Sequence, residues 1–525
     1  MRNYIPSMYG GKKMTFEPNY EKISAANRVF AGSTQSVVEL KLPQSDSSNV
    51  AKVLCAGAQV YLSSSTLEQK DVNYSGVVRI QVHYVTENGT IGSADYSTPF
   101  SDKYTLDAEY ENATPVVLSQ VVDTKTNVMN GEVRVTLVVE SNVDLIVTTD
   151  INALVGVASD SVMTKSATTK YVSYAGLTTE QMDNTFDIQL KDNVSQVLGV
   201  CANAYIKKVT PFNNYAKVDG GIDIDITYLD NEQEPQVRTY HTCVDYSHET
   251  TFEGITQNSA IMSYVMIKPE DMRFTTNIDK DITVVSAFIP VMYRGYVFNE
   301  KETEVVSDLF STTNYITTST QSVLTLDNIL NVYCTEKLDG NLSLDDSRPF
   351  IDEFIGVLCA KTVVNNSFVA DGELTVEGLV DVCTLYLNKE LNSVNSANVQ
   401  IPFSVVLSGE YANDTKASVE VAFGDIDARS RRGKEIDVSG TLFVYANTYS
   451  DEQTGVITSV EIDDEIPESE CALTIVVAKD GEDLWDIAKR EYVSPDMIAE
   501  QNPNLDLPLH DGDRVIIYRQ HVAEF

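Results

Sequence analysis

The chain has 525 residues, 43% of them apolar and 22% charged, and its 77 Asp and Glu against 38 Lys and Arg leave a net charge of −39. At about 150 residues per domain the length predicts three or four domains, and the apolar fraction excludes a disordered chain. The charge sets the mean field against nucleic acid and anionic lipid, and seven cysteines without a CxxC pair argue against a disulfide framework or structural zinc site and for a reducing compartment.

Residues 1–19 read as an N-terminal tail. No apolar h-region follows Met1, so a secretory leader is not expected, and no apolar window approaches the ~20 residues of a membrane span. From position 20 the pattern is β, and it recurs. Ala58 to Leu62 matches Ala202 to Ile206 at an offset that also carries Gly76 onto Gly220 and Tyr84 onto Tyr228, and a third copy places Ala360, Gly378 and Tyr386 in register. In the first copy Val78, Ile80, Val82 and Tyr84 share one strand face, with Arg79, Gln81 and His83 on the other. The second alternates Ile222, Ile224, Ile226 and Tyr228 with Asp223, Asp225 and Thr227. Period two with one apolar face predicts a half-buried antiparallel strand. The preceding strands, around Leu54, Leu198 and Gly356, are apolar on both faces and are expected to be central.

Each copy continues to an aromatic-Ser step, at Phe100-Ser101, Tyr246-Ser247 and Phe403-Ser404. Closing hairpins follow, with turns at Asn130-Gly131 and Arg432-Gly433. The expected architecture is mainly β: three tandem sandwich-like or barrel-like repeats over 20–160, 161–303 and 304–465. Val162 to Lys170 and Tyr296 to Glu304 read as joints. The stretch Asp451 to Glu470 is dense in Asp and Glu, and its end from Asp463 reads as a solvated linker, set at 466–471 in the domain division.

The period then switches to 3.6. Thr474 to Ala478 reads as a strand, and Asp483 as the N-cap of a helix with Leu484, Ile487 and Ala488 on one face. Ser494-Pro495-Asp496 opens a second helix that ends near Asn502-Pro503, and Asp513 to Tyr518 closes a βααβ module over 472–519, with a tail at 520–525. Along Asp480-Gly481-Glu482-Asp483-Leu484-Trp485, Asn502-Pro503-Asn504-Leu505 and Asp511 to Ile517 this module resembles the LysM family. The resemblance implies a groove between Asp480, Gly481, Glu482, Asp483, Leu484 and Asn502, Pro503, Asn504, Leu505. It implies a core of Trp485, Ile487, Ala488, Ile498, Val515 and Ile517, and as ligand peptidoglycan or another GlcNAc-containing glycan. Where the family has Gly-Asp-Thr/Ser-Leu, this chain has Gly481-Glu482-Asp483-Leu484. Three carboxylates disfavour an anionic wall polymer, so a protein partner stands beside the glycan.

The three β copies resemble the SPOCS domain of spore-coat proteins, and the combination with one LysM is similar to SipL-type spore-coat morphogenetic proteins. That resemblance implies a non-enzymatic scaffold in the mother-cell cytoplasm at the forespore surface, binding the coat's basement-layer morphogenetic ATPase partly through LysM. The alternatives are a glycan-binding protein of the cell wall and a self-associating coat or appendage subunit.

Catalysis has no motif to stand on: no Walker loop, HExxH, nucleophile elbow or dinucleotide fingerprint occurs, and no cofactor is expected. His241 and His248 lie near one connection without a Cys or a regular carboxylate spacing to complete a metal site. Cys201 and Cys359 hold equivalent repeat positions and read as core filling. Arg429, Arg431, Arg432 and Lys434 form a basic cluster at a hairpin turn: a solvated turn, or a contact for an acidic partner.

Overall fold

The structure, a computed structural model, describes residues 16–42, 50–129, 132–190, 193–232, 235–279, 282–467, 469 and 471–519. It is mainly β, with 78% strand and 4% helix. The expected Asn130-Gly131 turn and the tail at 520–525 lie outside the described residues.

A long strand opens each β unit. In the first, β1 (Glu17–Lys41) is followed by the meander β2 (Val50–Glu68), β3 (Asp71–Thr86) and β4 (Ile91–Thr105), then β5 (Ala113–Met129) and β6 (Glu132–Ala158). β6 returns antiparallel along β1, giving sheets ordered β1-β6-β5 and β2-β3-β4. The second comprises β7 (Val162–Leu190), β8 (Val194–Phe212), β9 (Tyr215–Asp230), β10 (Val237–Thr251), β11 (Ala260–Ile267), β12 (Arg273–Asp279) and β13 (Ile282–Ser311). Here β11 and β12, split by a short 3-10 turn, together line the edge of β13 that faces away from β7. The third runs β14 (Asn314–Ser343), β15 (Glu353–Ala370), β16 (Glu373–Asn388), β17 (Ser393–Leu407), β18 (Lys416–Arg431) and β19 (Glu435–Glu465), in sheets β14-β19-β18 and β15-β16-β17.

Inside each unit the apolar faces meet. Val78, Ile80 and Val82 pack with Val135, Leu137 and Val139; Ile222, Ile224 and Ile226 with Val285, Ala287 and Ile289; Val380 and Val382 with Val438 and Leu442. Gly76, Gly220 and Gly378 sit where a Cβ would strike the carbonyl of Tyr61, Tyr205 or Val363. Phe100, Tyr246 and Phe403 stand directly across the ladder from these glycines.

The units close on one another in a ring. β4 packs beside β8, β10 beside β15, and β17 beside β2. Ser93 donates to the Leu198 carbonyl, Thr239 Oγ1 to the Ile355 carbonyl at 3.5 Å, and Lys52 Nζ to Asn395 Oδ1 at 2.7 Å. The long strands meet along the same centre through Ile23, Ile151, Tyr171, Val305, Val323 and Val456. Arg28 is 2% exposed at the junction of all three units: Nε donates to Asp144 at 3.0 Å, Nη1 to the Tyr264 hydroxyl at 2.9 Å, and the guanidinium lies 5.2 Å from the Tyr449 ring.

This packing corrects three expectations. β2, β8 and β15 are edge strands, not central ones, and they are apolar on both faces because a neighbouring unit covers the outer face. Val162–Lys170 and Tyr296–Glu304 are paired β structure within β7 and β13, not joints, so a boundary at 303/304 falls inside a strand that runs on to Ser311. Asp463–Glu465, read as the start of a linker, are the last residues of β19, paired with β14 at Asn314.

The C-terminal module has β20 (Leu473–Val477) antiparallel to β21 (Arg514–Tyr518), with α1 (Leu484–Glu491) and α2 (Pro495–Gln501) between them. Asp483 caps α1 by a reciprocal arrangement with Asp486, each side chain accepting from the other's backbone N–H. Ser494 precedes Pro495 in an extended conformation, although its hydroxyl makes no capping bond. Ile487, Ala488, Ile498, Val515 and Ile517 are all fully buried.

Candidate functional site

The two loops implied as a groove flank one small core, to which Leu484 and Leu505 both contribute. Their polar groups are largely engaged. Glu482 accepts from the Lys479 N–H at 2.9 Å and from Arg490 at 2.6 Å, contacts that hold its carboxyl below the usual range. Asp483 accepts from the Asp486 N–H at 2.9 Å and from Lys165 of β7 at 3.0 Å, which outweigh its partial burial and keep its carboxyl low. Asn502 is stapled to β21, accepting from the Ile516 N–H and donating to the Ile516 carbonyl. Asp480, Gly481, Pro503 and Asn504 remain exposed, Gly481 at a φ of +84° with open space beside it.

Trp485 is half-buried and faces two ways. It packs on the module's core, and its indole N–H donates to Asp308 of β13 at 2.8 Å while its ring meets Phe310 edge-on at 5.0 Å. Lys489 binds the same carboxylate at 2.6 Å, and Tyr492 stacks edge-on against Tyr315 of β14. The module is thereby docked at the end of the long strands. No local pattern foretells this docking, because Asp308 and Phe310 lie far away in sequence.

The opposite side of the module is bare. Leu473, Ile475 and Val477 on β20 project outward with Ile516 and Tyr518 on β21, each between 44% and 58% exposed. Leu473 is paired with Tyr518 and Ile475 with Ile516, so the five side chains form one apolar face.

The basic turn is partly neutralised, its four cations set against the carboxylates of Asp437 and Glu435. Arg431 reaches Asp437 at 2.6 Å, Arg429 approaches it at 3.8 Å, and Lys434 donates to the carbonyls of Asp345 and Arg348. Arg432 and Gly433 hold the tight turn at positive φ.

Two polar assemblies escaped the sequence pattern. A cavity of about 1170 Å³ opens where the three units meet, lined chiefly by β2, β5, β15 and β18, with Ala202–Ala204 of β8 and Val265–Ile267 of β11. In its wall, burial pushes the Glu420 carboxyl up to about 8, raises Asp381 and lowers Lys361. Cys55 and Cys359 also line it, their sulfurs 3.4 Å apart; the contact with Cys55 and then burial hold the Cys359 thiol well above the usual range. The second assembly is Asp223, Asp225 and His241. His241 Nδ1 lies 2.9 Å from Asp225 and Nε2 lies 3.2 Å from Asp223, and Nε2 accepts from the Ile426 N–H at 3.2 Å. Burial and then Asp225 push the Asp223 carboxyl well up; burial acts against charge on His241, but the bond to Asp225 and the neighbouring carboxylates outweigh it and raise the ring. His248 is not part of this group: it bonds Asn184 at 3.0 Å.

No family model, curated protein or solved structure matches the chain.

Proposed function

We propose that the chain is a non-enzymatic scaffold of endospore-coat assembly, in which three repeated β units carry a LysM-like module that takes up the coat's basement-layer morphogenetic ATPase and tethers it at the forespore surface. The observation that carries the protein-partner reading is the apolar face of β20–β21. Five large apolar side chains projecting together are the kind of surface that protein partners cover, and they offer few donors to a sugar. Arg490 and Lys165 pair with Glu482 and Asp483, so the loop carboxylates repel an anionic glycan less than their number suggests, and the protein-partner reading rests on the apolar face. The internal resemblance of the three β units and their common strand order support the scaffold part of the reading.

Gel filtration of the purified chain with the coat ATPase tests this. Co-elution that weakens in an Ile475→Asp, Ile516→Asp variant is the expected result, and separate elution of the wild-type proteins would count against the reading. A glycan-binding wall protein is favoured by one feature, the exposure of Asp480, Gly481, Pro503 and Asn504 on the two loops. Pelleting with insoluble peptidoglycan, lost when residues 472–525 are removed, supports that second reading.

A further inference from the structure

Asp223 and Asp225 occupy alternate positions on β9 and leave the sheet on one side, and Cys243 and His241 stand directly opposite them on β10. In an isolated sheet this side would face water. Here the third unit covers it: the register shift of β18 between Gly424 and Asp427 passes over the two carboxylates, and a Cβ on Gly424 would strike Asp223. Asp223 is 1% exposed and Asp225 2%, and neither oxygen of Asp223 has a well-aligned hydrogen-bond donor, the Asp425 N–H giving only a weak approach. The side-chain nitrogen beside it is His241 Nε2, 3.2 Å from Oδ1, which can pair with it only as the imidazolium; with the ring neutral, a buried carboxylate so placed is among the costliest groups a fold can hold, and a cation relieves it.

The geometry favours a cation. One oxygen from each carboxylate and one imidazole nitrogen lie within 4.8 Å of one another. A zinc ion bound at about 2.0 to 2.2 Å holds its donors at most about 4.4 Å apart, so small side-chain shifts close the site. An imidazolium Nε2–H reaches only Oδ1 of Asp223, whereas a metal can engage both oxygens. Asp225 fixes the imidazole through Nδ1, which is how a carboxylate orients a metal-binding histidine, and this turns Nε2 toward Asp223. The Nε2 lone pair now meets the Ile426 N–H at 3.2 Å, a contact that ligation would replace. Asp425, on the same bulge, adds further negative potential around Asp223 and His241.

We propose that Asp223 and His241, with Asp225 as orienting or third ligand, bind one divalent transition-metal ion of the zinc or manganese class beneath the β18 bulge, fastening the second unit to the third. Imidazole with carboxylates is a donor set suited to such ions rather than to Ca²⁺ or Cu⁺. The ion enters before the bulge closes, so loading accompanies folding.

The test is metal analysis of the full-length chain, purified from cells supplied with zinc and manganese. The same chain is then refolded with either ion in excess Mg²⁺, which occupies exposed carboxylates. About one ion per chain is expected in the wild type and about a tenth of that in Asp223→Asn, which retains the shape of the side chain. Equal metal in both chains, or none in either, overturns the proposal and leaves the His241 imidazolium as the partner of Asp223. Should Asp223→Asn fail to fold, Co²⁺ decides on the wild type alone. Visible bands saturating at about one equivalent support the site, and a spectrum like that of free Co²⁺ overturns it.

Discussion

Acidification from pH 7 to pH 4 should weaken the fold through His83. The ring leaves β3 on the side covered by the second unit, is 4% exposed, and has an Nδ1 without a hydrogen-bond partner. The backbone of β8 approaches so closely that a Cβ on Gly199 would meet the ring at 2.9 Å. Burial pushes the imidazole down from 6.5 to about 4, with Asp95 partly opposing. An unfolded chain protonates this histidine near 6.5, whereas the folded chain takes up the proton only near 4. Between those limits the unfolded state binds more protons, so stability is full above about pH 6.5 and is lost as the pH falls toward 4. The gap corresponds to about 3 kcal/mol. Urea unfolding followed by far-UV circular dichroism, in chelator, would compare wild type with His83→Leu at pH 7 and pH 4. The wild type should lose about 3 kcal/mol more than the variant. His241 is perturbed in the opposite sense: its raised value contributes stability below 6.5 that is lost as pH rises through the folded value, and it cancels between the two chains. Equal losses in the two chains, or a His83 Cε1 resonance titrating near 6.5, would refute the reasoning.

Three further outcomes are expected. Arg28→Leu strands Asp144 at the junction of the three units and should cost about 3 to 5 kcal/mol, read as a lowered urea midpoint; a loss below about 1 kcal/mol contradicts the junction. Gly378→Ala should cost about 1 to 3 kcal/mol because its Cβ meets the Val363 carbonyl and the Phe403 ring, while Gly156→Ala, with open space around it, should change the midpoint little. Trp485 is the sole tryptophan, so its emission reports docking of the C-terminal module: Asp308→Ala with Phe310→Ala should shift it to longer wavelength in an otherwise folded chain, and an unchanged spectrum would mean the module is held by other contacts.

The alternation that gives each unit its core is legible in the sequence, because Ile222, Ile224 and Ile226 need only a strand period to be recognised as one face. The other face misleads. Arg79, His83, Asp223 and Asp225 are polar and invite a solvent reading, yet each is less than 9% exposed, because the next unit in the ring covers it. The same ring makes β2, β8 and β15 resemble central strands while they are edges. Long-range closure of this kind has no period to detect. The acidic stretch through Asp463, Asp464 and Glu465 reads as solvated for the converse reason: β19 pairs with β14 through its backbone, and the side chains there need no apolar face. In the C-terminal module the helix starts were legible from Asp483 and Ser494-Pro495. The partners of Trp485 and Asp483 were not, since Asp308, Phe310 and Lys165 come from another part of the chain. The Asp223–Asp225–His241 cluster left only a faint signal, two carboxylates at alternate positions in a run of isoleucines.

The most direct test of the scaffold account is the position of a fluorescent fusion of the full chain during growth and sporulation. The account predicts a ring around the forespore in the mother cell, lost when the Ile475→Asp, Ile516→Asp pair removes the apolar face of the C-terminal module. A signal on the vegetative wall that persists in the double variant would contradict it.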